Sequence, residues 1–280
     1  MKSVGIFGYP ISHSISPIFQ QAAFDHLGID AIYEPWCVDP GSLGKRIAQL
    51  KDQNLLGCNV TIPHKVVAKE FVDRLDPMAE KIGSINTIVN ENQELVGYNT
   101  DIGGFIRSLL VYGKFNPGGK TVLVIGAGGA ARAAVYGLES NGASSVYIMN
   151  RTVAKAEAIA NEFPEGQVVA ESYDNINFLI GSKNVSLIVN CSSMGMKGGA
   201  AEFLSPLDFK NVREDVFIYD MVYTPEMTPF LRLARENKNH YLGGLSMLVM
   251  QGAESFELWT GRSAPLDIMF SAAEKAVYSR

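Results

Sequence analysis

The stretch that decides the fold is VLVIGAGGAA, residues 122–131. Its first four residues are apolar and predict a buried strand over residues 122–125. The small residues that follow match the pattern G-x-G-x-x-G/A with alanine in the last place, and they lead into a predicted helix over residues 130–141. Glycine lets the backbone approach a pyrophosphate, which the helix N-terminus then binds. The stretch therefore predicts a dinucleotide-binding turn, and a tight turn of small residues that serves packing alone is the alternative.

Short apolar strands alternate with helices on both sides of this turn. Such alternation predicts an α/β fold with largely parallel sheets and helices on both faces. The expected strands are residues 4–7, 32–36, 56–61, 146–149, 187–190 and 216–220, with a hairpin of 84–90 and 95–99. The expected helices are residues 17–27, 43–51, 64–72, 101–112, 154–162, 227–236, 245–260 and 266–278.

The length of 280 residues is typical of about two domains. We assign residues 1–103 to a substrate-binding domain and residues 104–249 to a Rossmann domain. The amphipathic helices of residues 250–280 are expected to pack back on the first domain.

Composition excludes several classes of function. The net charge of −5 is mild, and no block of like charges indicates a nucleic-acid or membrane surface. The sequence contains no apolar run of about 18 residues, so no membrane span is expected. Cys37, Cys58 and Cys191 are odd in number and far apart, which argues against disulfides and a zinc site. The four histidines show no ligand spacing either, so we expect a cytoplasmic enzyme without a metal.

The end of the second Rossmann strand bears on the choice of cofactor. NAD-binding folds place an acidic residue there, whereas this chain has Asn150, Arg151 and Thr152, with Lys155 one turn later. A guanidinium donates forked hydrogen bonds to a phosphate, so Arg151 favours NADP. A solvated arginine at a helix start is the alternative. Ser192 follows the strand of residues 187–190 and can contact the cofactor at the same edge of the sheet.

Lys65 and Asp101 each follow a short apolar segment. The pattern places Lys65 in the first turn of the helix of residues 64–72, where the helix dipole disfavours a cation. A lysine in such a place indicates a function, and proton exchange with a substrate oxygen, oriented by Asp101, is the one we predict. A surface ion pair is the alternative.

Other polar residues are candidates for substrate binding. Ser14 and Ser16 precede the helix of residues 17–27, with Pro17 suited to its first position, and their hydroxyls suit a small carboxylate. Ser16 as a simple N-cap and Ser14 as a loop serine are the alternative. Further candidates stand at strand ends or on the helix of residues 245–260, although each can equally be a turn, cap or packing residue: Asn59, Thr61, Asn86, Thr100 and Gln251.

Several long motifs in a fixed order together resemble the shikimate dehydrogenase family over nearly the whole chain. They are GYPISHSISP (8–17), NVTIPHK (59–65), INT (85–87), GYNTD (97–101), the glycine loop, NRT (150–152), DMVYTP (220–225) and GGLSMLVMQGA (243–253). The resemblance implies an N-terminal substrate domain, a C-terminal Rossmann domain and an active cleft between them. It also implies reversible, NADPH-dependent reduction of 3-dehydroshikimate to shikimate in aromatic amino-acid biosynthesis.

The resemblance also implies roles for individual residues. Lys65 and Asp101 form the catalytic pair. Ser14, Ser16 and Tyr223 bind the carboxylate, and Thr61, Asn86, Asp101 and Gln251 bind ring hydroxyls. The implied cofactor residues are Gly126, Ala127, Gly128, Gly129 and Ala130 at the pyrophosphate, Asn150, Arg151, Thr152 and Lys155 at the adenosine phosphate, Gly244 and Met247 at the nicotinamide, and Ser192 and Val222.

Three other functions remain open from the sequence. A quinate/shikimate dehydrogenase that uses NAD is disfavoured by Arg151. A methylenetetrahydrofolate dehydrogenase is disfavoured by the paired serines and by Lys65 with Asp101. A non-catalytic NADP-sensing module is disfavoured because both of those residues are present. The expected partner is a small molecule, with no nucleic acid or membrane, and a homodimer is left open.

Overall fold

The protein forms two compact units, as seen in a computed structural model that describes residues 1–278. One unit contains Met1–Gly104 and the chain from Leu248 onward, and the other contains Phe105–Met247. Each has its own sheet, and the α/β class expected from the alternation of strands and helices is confirmed.

Helices and strands alternate along most of the chain. The first stretch of chain forms β1 (Lys2–Gly8), α1 (Ser16–His26), β2 (Ala31–Cys37), α2 (Leu43–Ala48), β3 (Leu55–Val60), β4 (Arg74–Leu75), α3 (Pro77–Ile82), β5 (Thr87–Glu91), β6 (Glu94–Tyr98) and α4 (Asp101–Val111). The remainder forms β7 (Thr121–Ile125), α5 (Gly129–Ser140), β8 (Ser145–Met149), α6 (Val153–Ala160), β9 (Val168–Glu171), α7 (Ile176–Ser182), β10 (Val185–Asn190), β11 (Phe217–Asp220), α8 (Pro229–Glu236), β12 (Tyr241–Gly243), α9 (Leu245–Thr260) and α10 (Leu266–Tyr278). Of these elements, the sequence did not predict α3, α7, β4, β9 and β12.

The sheet of the first unit is mixed, with strand order β2-β1-β3-β5-β6-β4. β1 pairs in parallel with β2 and β3, whereas the hairpin strand β5 is antiparallel to both of its neighbours. The C-terminal part of α9 belongs to this unit: the Trp259 indole donates to the Ile88 carbonyl at 3.0 Å, and Phe256 packs on Phe24 of α1 with ring centroids 4.9 Å apart. Residues distant in sequence thus complete its core.

Two predictions of helix boundaries in this unit are wrong. No α-helix spans residues 64–72; a 3₁₀ helix covers Val67–Phe71, so Lys65 lies in the turn before it. The Lys65 carbonyl accepts from the Ile85 amide at 2.9 Å, which takes it out of helical bonding. The N-cap of α1 is Ile15 and not Ser16, which is the first helical residue; its amide donates to Ser14 Oγ at 3.3 Å.

The sheet of the second unit is fully parallel, with strand order β12-β11-β10-β7-β8-β9. Counted from β7, this is the order 6-5-4-1-2-3 of a Rossmann fold, with the reversal point between β7 and β10. The sequence indicated four of these strands but not β9 and β12, which have four and three residues and carry little periodic signal. The dinucleotide-type sheet is therefore present with its first strand leading into the glycine loop.

Within residues 1–278, no helix is both long and apolar enough to cross a membrane. The same residues contain no group of three or more histidine, cysteine, aspartate or glutamate side chains able to hold a metal ion.

Candidate active site

Lys65 and Asp101 form a close ion pair in the first unit. Lys65 Nζ donates to Asp101 Oδ2 at 2.5 Å, with side-chain exposures of 27% and 12%. An ammonium has three N–H donors, and the carboxylate takes one of them. In the described part of the chain the other two have no protein acceptor, so they are available to an oxygen atom of a ligand.

Asn86 and Gln251 extend this pair, and the amide orientation of Asn86 follows from its partners. The Thr100 backbone amide donates to Asn86 Oδ1 at 2.8 Å, and a backbone N–H can only donate. Asn86 Nδ2 therefore faces Asp101 Oδ1 at 2.9 Å and Gln251 Oε1 at 3.2 Å. Four residues that the resemblance assigned to the substrate site are thus joined by direct hydrogen bonds.

Behind this group lies a buried polar network that the sequence did not reveal. Ser255 is fully buried on α9, and its hydroxyl lies 2.7 Å from Thr87 Oγ1 and 3.2 Å from Thr100 Oγ1. Asn59 donates to Ser255 Oγ at 3.0 Å and accepts from the Tyr33 hydroxyl at 2.7 Å. Asn59 and Thr100 therefore support the site from inside. Ser255 stands four residues after Gln251 on one helix face, which is the only signal that the sequence offered.

His64 anchors the turn that carries Lys65. It is buried, and its Nε2 lies 2.8 Å from the Val38 carbonyl oxygen, to which it donates. The His64 amide donates to the Thr61 carbonyl at 2.9 Å. Together with the bond from Ile85 to the Lys65 carbonyl, these contacts fix the turn on both sides of the lysine. In the sequence, His64 stood out only as part of a longer motif.

Four further residues were expected to bind the substrate: Ser14, Ser16 and Tyr223 at the carboxylate, and Thr61 at a ring hydroxyl. Ser14 and the buried Ser16 stand at the N-terminus of α1, and Thr61 follows β3. Within the described chain, no direct hydrogen bond links these three side chains to the Lys65–Asp101 pair. Tyr223 belongs to the second unit, where burial raises the pKa of its hydroxyl. The binding of a carboxylate by Ser14, Ser16 and Tyr223, and of a ring hydroxyl by Thr61, stays a prediction.

The glycine loop of the second unit has the features of a pyrophosphate cradle. Gly126 has φ +117°, and a Cβ there would lie 3.0 Å from the Cys191 carbonyl carbon, so a side chain does not fit. At Gly128 and Gly129 a Cβ would meet no atom within 4 Å, so internal packing does not explain these glycines. The open space lies at the N-terminus of α5, where backbone amides favour an anion. The loop fits a dinucleotide.

The end of β8 offers two exposed cations. Arg151 and Lys155 are exposed, and neither has a carboxylate partner among residues 1–278. Asn150 Nδ2 donates to the Thr152 carbonyl at 2.9 Å and shapes the turn between strand and helix. A 2′-phosphate fits this arrangement because both cations are free to pair with it.

The remaining predicted cofactor residues follow β10, β11 and β12. Ser192 Oγ donates to Asn190 Oδ1 at 2.6 Å, and the Gly244 amide donates to the Val222 carbonyl at 3.3 Å. Met247 is half-buried near the start of α9. The structure adds a fully buried carboxylate, Asp220, that was not predicted as a site residue. In the sequence, Asp220 stood out only as the end of a predicted strand and as the first residue of the motif DMVYTP.

A Rossmann sheet with a dinucleotide loop, together with a unit that presents an ammonium–carboxylate pair, defines a two-unit α/β dehydrogenase. Three segments match models of one family: residues 6–88 match "Shikimate dehydrogenase substrate binding domain", residues 111–196 "Shikimate / quinate 5-dehydrogenase" and residues 244–274 "Shikimate 5'-dehydrogenase C-terminal domain". The chain belongs to the shikimate dehydrogenase family, and the resemblance seen in its motifs is confirmed.

Relatives match the chain over nearly its whole length. Shikimate dehydrogenase (NADP(+)) of Desulforamulus reducens is 40% identical and covers 98% of this chain and 94% of its own. The enzyme of the same name from Geobacter metallireducens is 42% identical, with 96% and 94% covered. Shikimate 5-dehydrogenase of Thermus thermophilus, solved with NADP(H) and shikimate, superimposes with a TM-score of 0.87 at 34% identity, over 99% of this chain and 100% of its own.

Proposed function

We propose that the protein is an NADP-dependent dehydrogenase that reversibly reduces 3-dehydroshikimate to shikimate. The observation that carries the proposal is the Lys65–Asp101 pair, with its two unused ammonium N–H groups and its bonds to Asn86 and Gln251. Membership of the family and the named activity of the relatives support the substrate.

The residues of the chain have distinct tasks in this reaction. When bound, NADPH supplies the hydride for the ketone carbon of the substrate. Lys65 Nζ donates a hydrogen bond to the ketone oxygen and passes a proton to it as negative charge develops. Asp101 holds the ammonium in place. The Lys65 side chain is partly exposed, so Lys65 can regain a proton from water.

The other polar residues orient the ring. Asn86 and Gln251 each have amide groups beside the pair, where they can bind the hydroxyls next to the reacting carbon. Ser14, Ser16, Thr61 and Tyr223 are proposed to bind the remaining hydroxyl and the carboxylate. Because the ring is held at several points, much of the rate gain comes from orientation.

Arg151 and Lys155 support NADP over NAD. Their free cations fit the 2′-phosphate that distinguishes the two cofactors, and no carboxylate stands at the end of β8 to bind a ribose 2′-hydroxyl. The proposed cofactor contacts include the glycine loop at the pyrophosphate, and Ser192, Val222, Gly244 and Met247 at the nicotinamide half.

A spectrophotometric assay tests the proposal directly. Shikimate with NADP+ should give the absorbance of NADPH, and the values of kcat/KM with quinate and with NAD+ should be far lower. Efficient turnover of quinate with NAD+ would support the broader dehydrogenase. Binding of NADP+ without turnover of either acid would support a sensing module.

The setting of the enzyme is part of the same proposal. Its cysteines Cys37, Cys58 and Cys191 are unpaired, which fits a reducing compartment such as the cytoplasm. A homodimer is the assembly to test, and light scattering on the purified protein distinguishes it from a monomer.

A further inference from the structure

Asp220 is a buried carboxylate that the proposed reaction does not use. It ends β11, is 0% exposed and accepts three hydrogen bonds, all from uncharged groups. Asn190 Nδ2 and the Val222 amide donate to Oδ1 at 2.9 and 3.1 Å, and Thr228 Oγ1 donates to Oδ2 at 2.6 Å. Burial raises its pKa to about 6, although all three bonds act to lower it.

The three donors come from two segments of the chain, the end of β10 and the connection between β11 and α8. Asn190 ends β10, and its Oδ1 accepts from both the amide and the hydroxyl of Ser192, at 3.0 and 2.6 Å. Val222 lies in the loop after β11, and Thr228 caps α8 by accepting from the Leu231 amide at 3.2 Å. One carboxylate therefore ties together the loops that follow two neighbouring strands.

The strand order shows which half of a dinucleotide these loops face. A Rossmann sheet consists of two mononucleotide-binding halves on either side of the reversal point. Arg151 follows β8, which assigns the adenosine half to β7, β8 and β9. The loops after β10 and β11 then belong to the nicotinamide half.

We propose that Asp220 is a positioning residue for the nicotinamide half of the cofactor, acting through Asn190 and Ser192 on one side and Val222 on the other. This inference rests on the proposed function only in the identity of the cofactor. A buried carboxylate without a cation costs folding free energy, so a purely structural position favours a neutral or apolar residue. A carboxylate, in contrast, accepts from all three donors at once, which an amide does not.

Binding measurements on the full chain test this inference. In D220A, calorimetry should show the Kd for NADP+ raised about tenfold, because three donors lose their acceptor. The Kd for adenosine 2′,5′-bisphosphate, which lacks the nicotinamide half, should stay at the wild-type value. D215N is the matched control, since Asp215 is an exposed carboxylate paired with Arg213 just before the same strand. Unchanged NADP+ binding, or an equal loss for both ligands, would overturn the inference.

A second pair of variants keeps the test decisive if D220A does not fold. T228V removes the donor to Oδ2 and should weaken NADP+ binding about fivefold, whereas T228S keeps the hydroxyl and should restore it. Equal NADP+ affinity in both variants would refute the role of Asp220. These measurements need no turnover, so a wild-type protein that binds NADP+ but does not oxidise shikimate would refute the proposed function and not this inference.

Discussion

Asp101 begins α4 in one unit and Asp220 ends β11 in the other, and the surroundings of these two carboxylates differ. Asp101 faces a cation, Lys65, and its side chain is 12% exposed. Asp220 faces only neutral donors and is closed to solvent. A cation with free N–H groups and access to water can exchange a proton with a ligand. A carboxylate enclosed by neutral donors can hold backbone segments in place, but it has no cation beside it that could exchange a proton with a ligand. The same side chain therefore suits different tasks in the two units.

Replacement of Lys65 should give the largest effect and tests the catalytic side of this comparison. K65A is expected to lower kcat about a thousandfold, because the proton donor is lost. KM for shikimate should change far less, since the contact strengthens in the transition state. Steady-state kinetics measures both, and fluorescence titration should show unchanged NADP+ affinity. K69A, a nearby lysine outside the pair, is the control. Near-native turnover by K65A would remove the proposed role.

Replacement of Asp101 should have the next largest effect. In D101N, the amide oxygen still accepts from Asn86, but the amide nitrogen then faces the Lys65 ammonium and repels it. We expect kcat to fall about a hundredfold because the ammonium is misplaced. D267N, at an exposed carboxylate on α10, should behave as wild type. A D101N enzyme with native kcat would show that the pair is only structural.

Replacement of Arg151 should change cofactor choice without affecting the first unit. R151A is expected to lower kcat/KM for NADP+ about thirtyfold, because charge-assisted bonds to the 2′-phosphate are lost. Turnover with NAD+ should be unaffected, so the ratio of kcat/KM for NADP+ to kcat/KM for NAD+ should fall. R151K keeps the charge but loses the forked geometry and should lie in between. An unchanged ratio of the two cofactors in R151A would place the phosphate site elsewhere.

Replacement of Asp220 by asparagine should affect turnover least and appear mainly in the pH dependence of stability. An unfolded Asp220 ionises near 3.8, whereas burial raises its pKa to about 6 in the folded chain. The folded state therefore binds this proton more tightly than the unfolded state does. The stabilisation that protonated Asp220 provides is lost as the pH rises from about 4 to about 6. We expect this loss to lower the unfolding free energy by up to about 3 kcal/mol across that pH range.

The measurement is the difference in urea unfolding between wild type and D220N across this pH range. Other carboxylates, such as Asp73 and Asp215, have lowered pKa values and change stability in the opposite direction, so only the difference isolates Asp220. Neither Cys191 nor Tyr219, the titratable neighbours, ionises in this window, because burial raises both of their pKa values. Parallel pH profiles of the two proteins would contradict the expected pKa.

The sequence predicted helices and strands well where their structure depends on residues close together in the chain. The strand β7, the glycine loop and α5 follow from four apolar residues, glycines at a turn and good helix formers. The last two helices also match their predicted bounds. The turn around Lys65 was predicted wrongly as a helix, since Ile85 and Val38 take up the backbone and side-chain groups of that segment through distant contacts.

By itself, the sequence determined the α/β class, the glycine loop between strand and helix, the basic end of β8 and the residue types proposed for the chemistry, because each depends on neighbours within a few positions. Tertiary structure alone decided that Lys65, Asn86, Asp101 and Gln251 share hydrogen bonds. It also decided that Ser255 supports them and that Asp220 joins two loops. These residues meet only because strand pairing and helix packing bring distant segments together, and no pattern along one segment carries that information.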